Sequence, residues 1–205
     1  MRALQVIALS PDFAGCQLAD IPVPEIGPGQ VLVRVEAASL NFPDLLMAQG
    51  LYQFKPPLPF TLGMEVSGVV EGVGADCPFQ IGDAVAGTTR VGGFARYVAV
   101  DAHVLRPKPT HFSHAQAAAF GIAYLTAYVA LVRLGDLRPG QWLLVHGASG
   151  GVGLAAVDLG KALGARVIAA SGSPEKLATI ADLYAPDAVI DTSKPFREEV
   201  KAITH

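Results

Sequence analysis

The sequence predicts an α/β protein in which a β-rich unit is followed by the first half of a doubly wound parallel sheet. Three observations predict it. Residues 1 to about 110 carry short alternating or β-branched runs among many glycines and prolines. From residue 142 onward, apolar runs alternate with stretches of helical spacing. A glycine-rich turn, HGASGGVG at 146–153, stands between the first of those runs and its helix.

The elements follow in order. Strands are expected at 4–9, 31–36 (VLVRVE), 66–73 and 94–100 (FARYVAV), punctuated by turn signals such as Gly27-Pro28-Gly29 and Gly82-Asp83. A short helix interrupts them: Pro43 suits a first helical position, DLLMAQ follows, and Gly50 suits the residue past its end. The Ala-rich segment SHAQAAAFGIAYLTAYVALVRLG starts at a capping Ser113 and ends at Gly135, and is expected as two helices divided near Gly121. Strands are then expected at 142–145, 166–170 and 188–190. Helices are expected at 150–163, closed by Gly164, from Pro174, capped by Ser173, and at 195–203. Strand-helix-strand units imply parallel strands joined by right-handed crossovers. The expected domains are 1–115 and 116–205.

Composition narrows the function classes. The chain has 205 residues, 51% of them hydrophobic, and a net charge of −3 with its 15 Lys and Arg scattered, so a nucleic-acid partner is not expected. No apolar stretch is read as approaching the roughly 20 residues that span a bilayer, and the N-terminus lacks a secretory pattern, so no membrane partner and a cytoplasmic location are expected. Cys16 and Cys77 are too few for a disulfide framework and lack the spacing of a metal knuckle.

The turn carries the chemistry. Ala148, Gly150 and Gly153 occupy the three positions of the GxGxxG fingerprint, with Ala replacing the first Gly, between a strand and a helix as that fingerprint requires. Residues Ala148, Ser149, Gly150, Gly151, Val152 and Gly153 are therefore expected to cradle a dinucleotide pyrophosphate on the helix N-terminus. An NAD site usually has Asp or Glu at the end of the second strand. Here Ser171-Gly172-Ser173-Pro174-Glu175-Lys176 stands there, with two hydroxyls, a helix N-terminus and Lys176 to hold a 2′-phosphate. NADPH is the expected cofactor, with Ser171, Gly172, Ser173 and Lys176 as its contacts. A Glu in the first helical turn, Glu175, also serves the helix dipole, and His146 is read as a strand residue.

The order of NFPDLLMAQGLY, LGMEVSGVVEGVG, GGFARYV, AYLTAYVAL and HGASGGVGLAA resembles the quinone oxidoreductase (zeta-crystallin-like) branch of the medium-chain dehydrogenase/reductase family. The resemblance implies a GroES-like catalytic domain followed by a Rossmann domain that binds NADPH. Zinc-dependent members of the wider family hold a catalytic metal with Cys and with the His of a GHE motif; this chain has Asn41 and Met64 there, which implies zinc-free chemistry. The resemblance further implies hydride transfer from NADPH to a small-molecule quinone or enone, with Asn41 and Tyr52 as catalytic residues and Asn41 and Thr126 also near the nicotinamide. A second Tyr common in the branch is missing near Leu46, and Thr192 stands where the branch often has an adenine-side Tyr, so neither contact carries over.

From Trp142 to His205 there is room for about three strands, whereas a full doubly wound dinucleotide domain has six. The chain thus resembles a truncated reductase, with a homodimer implied for a longer form. The alternative function is a catalytically incomplete fragment that acts as a nucleotide-binding or partner-binding module.

Overall fold

A computed structural model describes residues 1–205, which divide into two units, Met1–Gly121 and Ile122–His205. In the first unit, β1 (Arg2–Val6) pairs with β2 (Cys16–Asp20), and a long strand, β3 (Gln30–Ser39), and a short helix, α1 (Phe42–Ala48), follow. With β4 (Phe60–Thr61) the first strands make an antiparallel sheet of order β2-β1-β4. The remaining strands are β5 (Glu65–Val73), β6 (Ala84–Thr88), β7 (Tyr97–Asp101) and β8 (Leu105–Pro107), which join β3 in a five-stranded antiparallel sheet of order β7-β3-β5-β6-β8.

Period-two patterning explains this sheet. Val31 and Val33 are fully buried, while Arg34 beside them faces outward and pairs with Glu36 and Glu71. The inward residues of neighbouring strands, Val66, Val70, Val85, Val98, Val100 and Leu105, complete the core. Each buried valine contributes about 1.5–3 kcal/mol through its apolar area. A second core beneath α1 gathers Val6, Met47, Ala48, Phe60 and Leu62.

The first strand is shorter than expected. It ends at Val6, because Gly15 returns so closely over Ala8 that a Cβ there would stand 1.8 Å from the Ala8 carbonyl oxygen, and Ile7 and Leu9 are left exposed. The α1 expectation is met: Pro43 lies in its first turn, and Gly50 follows its C-cap at φ +74°.

The Ala-rich segment corrects another expectation. It forms one helix, α2 (His114–Tyr128), that runs into a wider π turn over Val129–Leu134. Its start is a capping box: Ser113 Oγ accepts from the Gln116 amide at 3.2 Å, and Gln116 Oε1 accepts from the Ser113 amide at 2.9 Å. Gly121 does not break it, since alanines on both sides offset the roughly 1 kcal/mol that a helical glycine costs. The residues from His114 to Leu134 thus join into a continuous 21-residue helix of mean hydropathy 1.6, which by length and composition alone suffices to cross a membrane. That corrects the reading that no apolar stretch approaches such a length. The division between the two units also falls inside this helix, six residues beyond the boundary expected from sequence.

In the second unit, β9 (Trp142–His146), α3 (Gly151–Ala162), β10 (Arg166–Ser171), α4 (Pro174–Tyr184), β11 (Ala188–Asp191) and α5 (Arg197–Thr204) alternate as the sequence pattern predicts. The three strands are parallel in the order β11-β10-β9. The central strand, RVIAAS, is buried from Val167 to Ser171, as a parallel strand covered on both faces must be. Val167 and Ala169 pack with Val157, Leu177 and Ile180 in one cluster, and Ile168 and Ala170 with Ile190, Trp142 and Phe196 in another. At the start of β9 the Arg166 guanidinium lies 4.5 Å from the centre of the Trp142 ring.

Candidate functional site

In the second unit, the turn after β9 is built from backbone. Gly147 takes φ +61°, a conformation that side chains disfavour, and turns the chain out of the strand. A Cβ on Gly153 would lie 2.3 Å from the Gly147 carbonyl oxygen and 2.8 Å from the Ala148 Cα, so only glycine lets α3 pack this close to the turn. Ala148 is fully buried and its amide donates to the Ala170 carbonyl at 3.0 Å, which anchors the turn to β10. Its methyl therefore belongs to the core. By contrast, a Cβ on Gly151 would meet nothing within 4 Å. The cap residue of α3 is Gly150, which has no side chain to bond the first-turn amides. Those amides and the positive end of the helix dipole make a cradle suited to a phosphate.

The end of β10 closes on this turn. Ser149 Oγ lies 3.2 Å from Ser171 Oγ, and the Ser173 amide donates back to Ser171 Oγ at 3.4 Å. Ser173 caps α4, its Oγ accepting from the Lys176 amide at 3.4 Å, and Lys176 and Gly172 are exposed beside it. So Ser149, Ser171 and Ser173 come together with the N-termini of α3 and α4.

One neighbour was not anticipated. Asp191 pairs with Ser171 in the parallel register, which places a carboxylate at the adjacent strand end. Its Oδ1 accepts from the Ser193 amide at 2.9 Å, which holds its pKa below the usual carboxylate range. Thr126 on α2 is exposed, and its hydroxyl donates to the Ile122 carbonyl at 2.7 Å. His146 ends β9 with its ring 5.4 Å from that of Phe196.

In the first unit, a second set of polar groups surrounds Asn41, the cap residue of α1. The register of β3 on β5 sets Ser39 opposite Glu65. Asn41, two residues on, then reaches both: its Nδ2 donates to Glu65 Oε2 at 3.3 Å, to Ser39 Oγ at 3.3 Å and to the Ser39 carbonyl at 3.5 Å. Asp44, 0% exposed, accepts from the Asn41 amide at 2.9 Å and from the Gly63 amide at 3.1 Å. Burial raises the Asp44 pKa, against the two amide bonds, which lower it.

Tyr52 is half-buried, its amide bonded to the Leu46 carbonyl and its ring packed on the second core of this unit. Met64 packs on the same apolar cluster. No group of three or more His, Cys, Asp or Glu side chains suited to a metal ion comes together. The partners of Asn41 escaped the sequence reading, although a Glu leading into a β-branched strand was a signal, and Asp at the third helical position was another.

The chain has recognisable relatives. The alcohol dehydrogenase GroES-like domain model matches residues 27–110. Human quinone oxidoreductase is 39% identical over 181 residues, which cover 85% of this chain and 54% of the relative. The quinone oxidoreductase of Thermus thermophilus, whose crystal structures include its complex with NADPH, superposes with a TM-score of 0.87 at 40% identity, over 99% of this chain and 63% of that one. An NAD-dependent alcohol dehydrogenase superposes with a TM-score of 0.93 at 35% identity, over 100% of this chain and 67% of that one. The chain spans about half the length of the curated quinone oxidoreductases it matches.

Proposed function

The chain belongs to the medium-chain dehydrogenase/reductase family, and on that premise we propose that it carries the catalytic unit and half the nucleotide-binding sheet of a zinc-free, NADPH-dependent quinone or enone reductase. The observation that carries this reading is the joining of the glycine turn to the β10 end through Ser149 and Ser171. The residues present fit the cofactor. The first-turn amides of α3 hold the pyrophosphate, where the open space at Gly151 admits it, and Ser171, Ser173 and Lys176 hold the 2′-phosphate.

Bound there, the cofactor supplies hydride from its nicotinamide C4. Asn41 offers its carboxamide oxygen to a donor on the ligand, since its Nδ2 is engaged by Ser39 and Glu65. The Tyr52 hydroxyl supplies a donor for the oxyanion that develops on a quinone or enone. Met64, packed among apolar side chains, and the amide of Asn41 do not make a donor set for catalytic zinc, which supports chemistry without a Lewis acid.

NADPH should bind at least tenfold tighter than NADH, and Lys176→Ala should narrow that gap about fivefold, or roughly 1 kcal/mol. Calorimetry with both nucleotides reads it; equal affinities would remove the NADPH assignment. Steady-state oxidation of NADPH with 1,4-benzoquinone, on this chain and on a longer form, tests the reaction itself.

A second reading is favoured by one observation. The strand that feeds the turn, β9, is an edge of its sheet. A nucleotide-binding or partner-binding module that pairs this edge with another chain would use the same backbone. Full turnover by the 205-residue chain would exclude it.

A further inference from the structure

Glu65 is 1% exposed at the start of β5, and the surrounding fold is shaped around it. Its Oε2 accepts from Asn41 Nδ2 at 3.3 Å. Above its other oxygen passes α2, where a Cβ on Gly121 would stand 2.8 Å from Oε1. A glycine weakens a helix interior, so its presence where α2 passes this carboxylate is an independent mark of the space the carboxylate occupies.

We infer that Glu65 is a positioning residue that fixes which end of the Asn41 carboxamide a ligand meets. The Ser39 carbonyl and Glu65 Oε2 both act as acceptors toward Nδ2. Reversing the carboxamide would set Oδ1 against these two acceptors and leave Nδ2 outward. The grip of Glu65 and Ser39 therefore turns Oδ1 away from them, toward the Asp44 amide in the capping box of α1, and its second lone pair is left for a ligand. The complementary ligand group is an N–H or O–H donor, such as a nicotinamide carboxamide or a ribose hydroxyl. This rests on the reading of Asn41 as a cofactor contact.

A double-mutant cycle on NADPH affinity tests it, with thermal melts on each variant. Asn41→Ala should weaken NADPH about tenfold. Glu65→Ala should weaken it about five- to tenfold in the native background and less than about twofold in the Asn41→Ala background, because its effect passes through Asn41. Glu65→Gln keeps an acceptor of the same shape and should stay within about threefold of the native chain. Equal losses from Glu65→Ala in both backgrounds would show a general effect on the fold and overturn the inference while leaving the NADPH reading intact. Native affinity in Asn41→Ala would overturn the Asn41 reading and this inference with it.

Should Glu65→Ala fail to fold, the side-chain amide protons of Asn41 in a 15N–1H spectrum of Glu65→Gln carry the test. A change confined to that pair and its bonded neighbours supports the grip, and an unchanged pair overturns it.

Discussion

In the first unit the candidate site is made of side chains already bonded to the protein: Asp44 holds two backbone amides, and Asn41 is gripped by Ser39 and Glu65. In the second unit the glycine turn of the candidate site is made of backbone from which side chains are left out, with Gly150 at the cap of α3 and open space at Gly151. A site of satisfied side chains is tied to folding stability, because removing one member strands its partners. A site of open amides is tied to the ligand, because its donors await an acceptor from outside.

The largest expected break in this contrast is Asp44→Ala. It leaves the half-buried amide of Asn41 and the buried amide of Gly63 without their acceptor, and should cost about 3 kcal/mol in a urea titration. A loss under about 1 kcal/mol would show that water replaces the carboxylate and that the first site is not tied to stability as described. Next comes Gly153→Ala in the second unit, where the new methyl would meet the Gly147 carbonyl. A destabilisation of about 1–3 kcal/mol is expected, together with loss of NADPH binding. Unchanged stability there would mean that the turn yields more readily than its close approach implies.

Acid sharpens the comparison with a smaller effect of opposite sign in the two units. Asp44, raised by burial, favours the folded state when protonated, so its contribution is present below the unfolded value of 3.8 and is lost as pH rises through its folded pKa. Asp187, lowered first by its bond from Lys161 and then by the Val167 amide, contributes above 3.8, and that contribution is lost as pH falls through its folded pKa. Denaturation curves from about pH 3 to 6 should therefore lose part of their acid sensitivity below pH 3.8 in Asp187→Asn; an unchanged slope would remove Asp187 from that role. The smallest effect on the fold is the most discriminating: Gly151→Ala should leave stability unchanged or slightly higher, since alanine suits a helix and meets nothing, yet weaken NADPH several-fold by crowding the cradle. Unchanged binding would place the phosphate elsewhere.

What could be read from the sequence was local. Alternation at 31–36 and the glycines at 147–153 fix their own conformation within a few residues, and both lie where expected. The β2, β4, β6 and β8 strands were not singled out, because they are short or rich in small residues and gain their order from partners far along the chain. Gly121 reads as a helix break because a glycine's local preference is visible in the sequence, while the carboxylate it clears belongs to a residue 56 positions away. Likewise, Asn41 stands out in the sequence, whereas its grip by Glu65 depends on the β3–β5 register. The Asp191 carboxylate beside Ser171 emerges only from the β10–β11 register.

The stacking of Arg166 on Trp142 has a practical consequence. This is the only tryptophan of the chain and it sits in the second unit, so tryptophan emission, excited beyond the absorption of tyrosine, is a private reporter of that unit. Far-ultraviolet dichroism reports on both. If the two units melt as one cooperative body the two optical signals will superimpose, and if each melts alone the fluorescence trace will follow the second unit by itself.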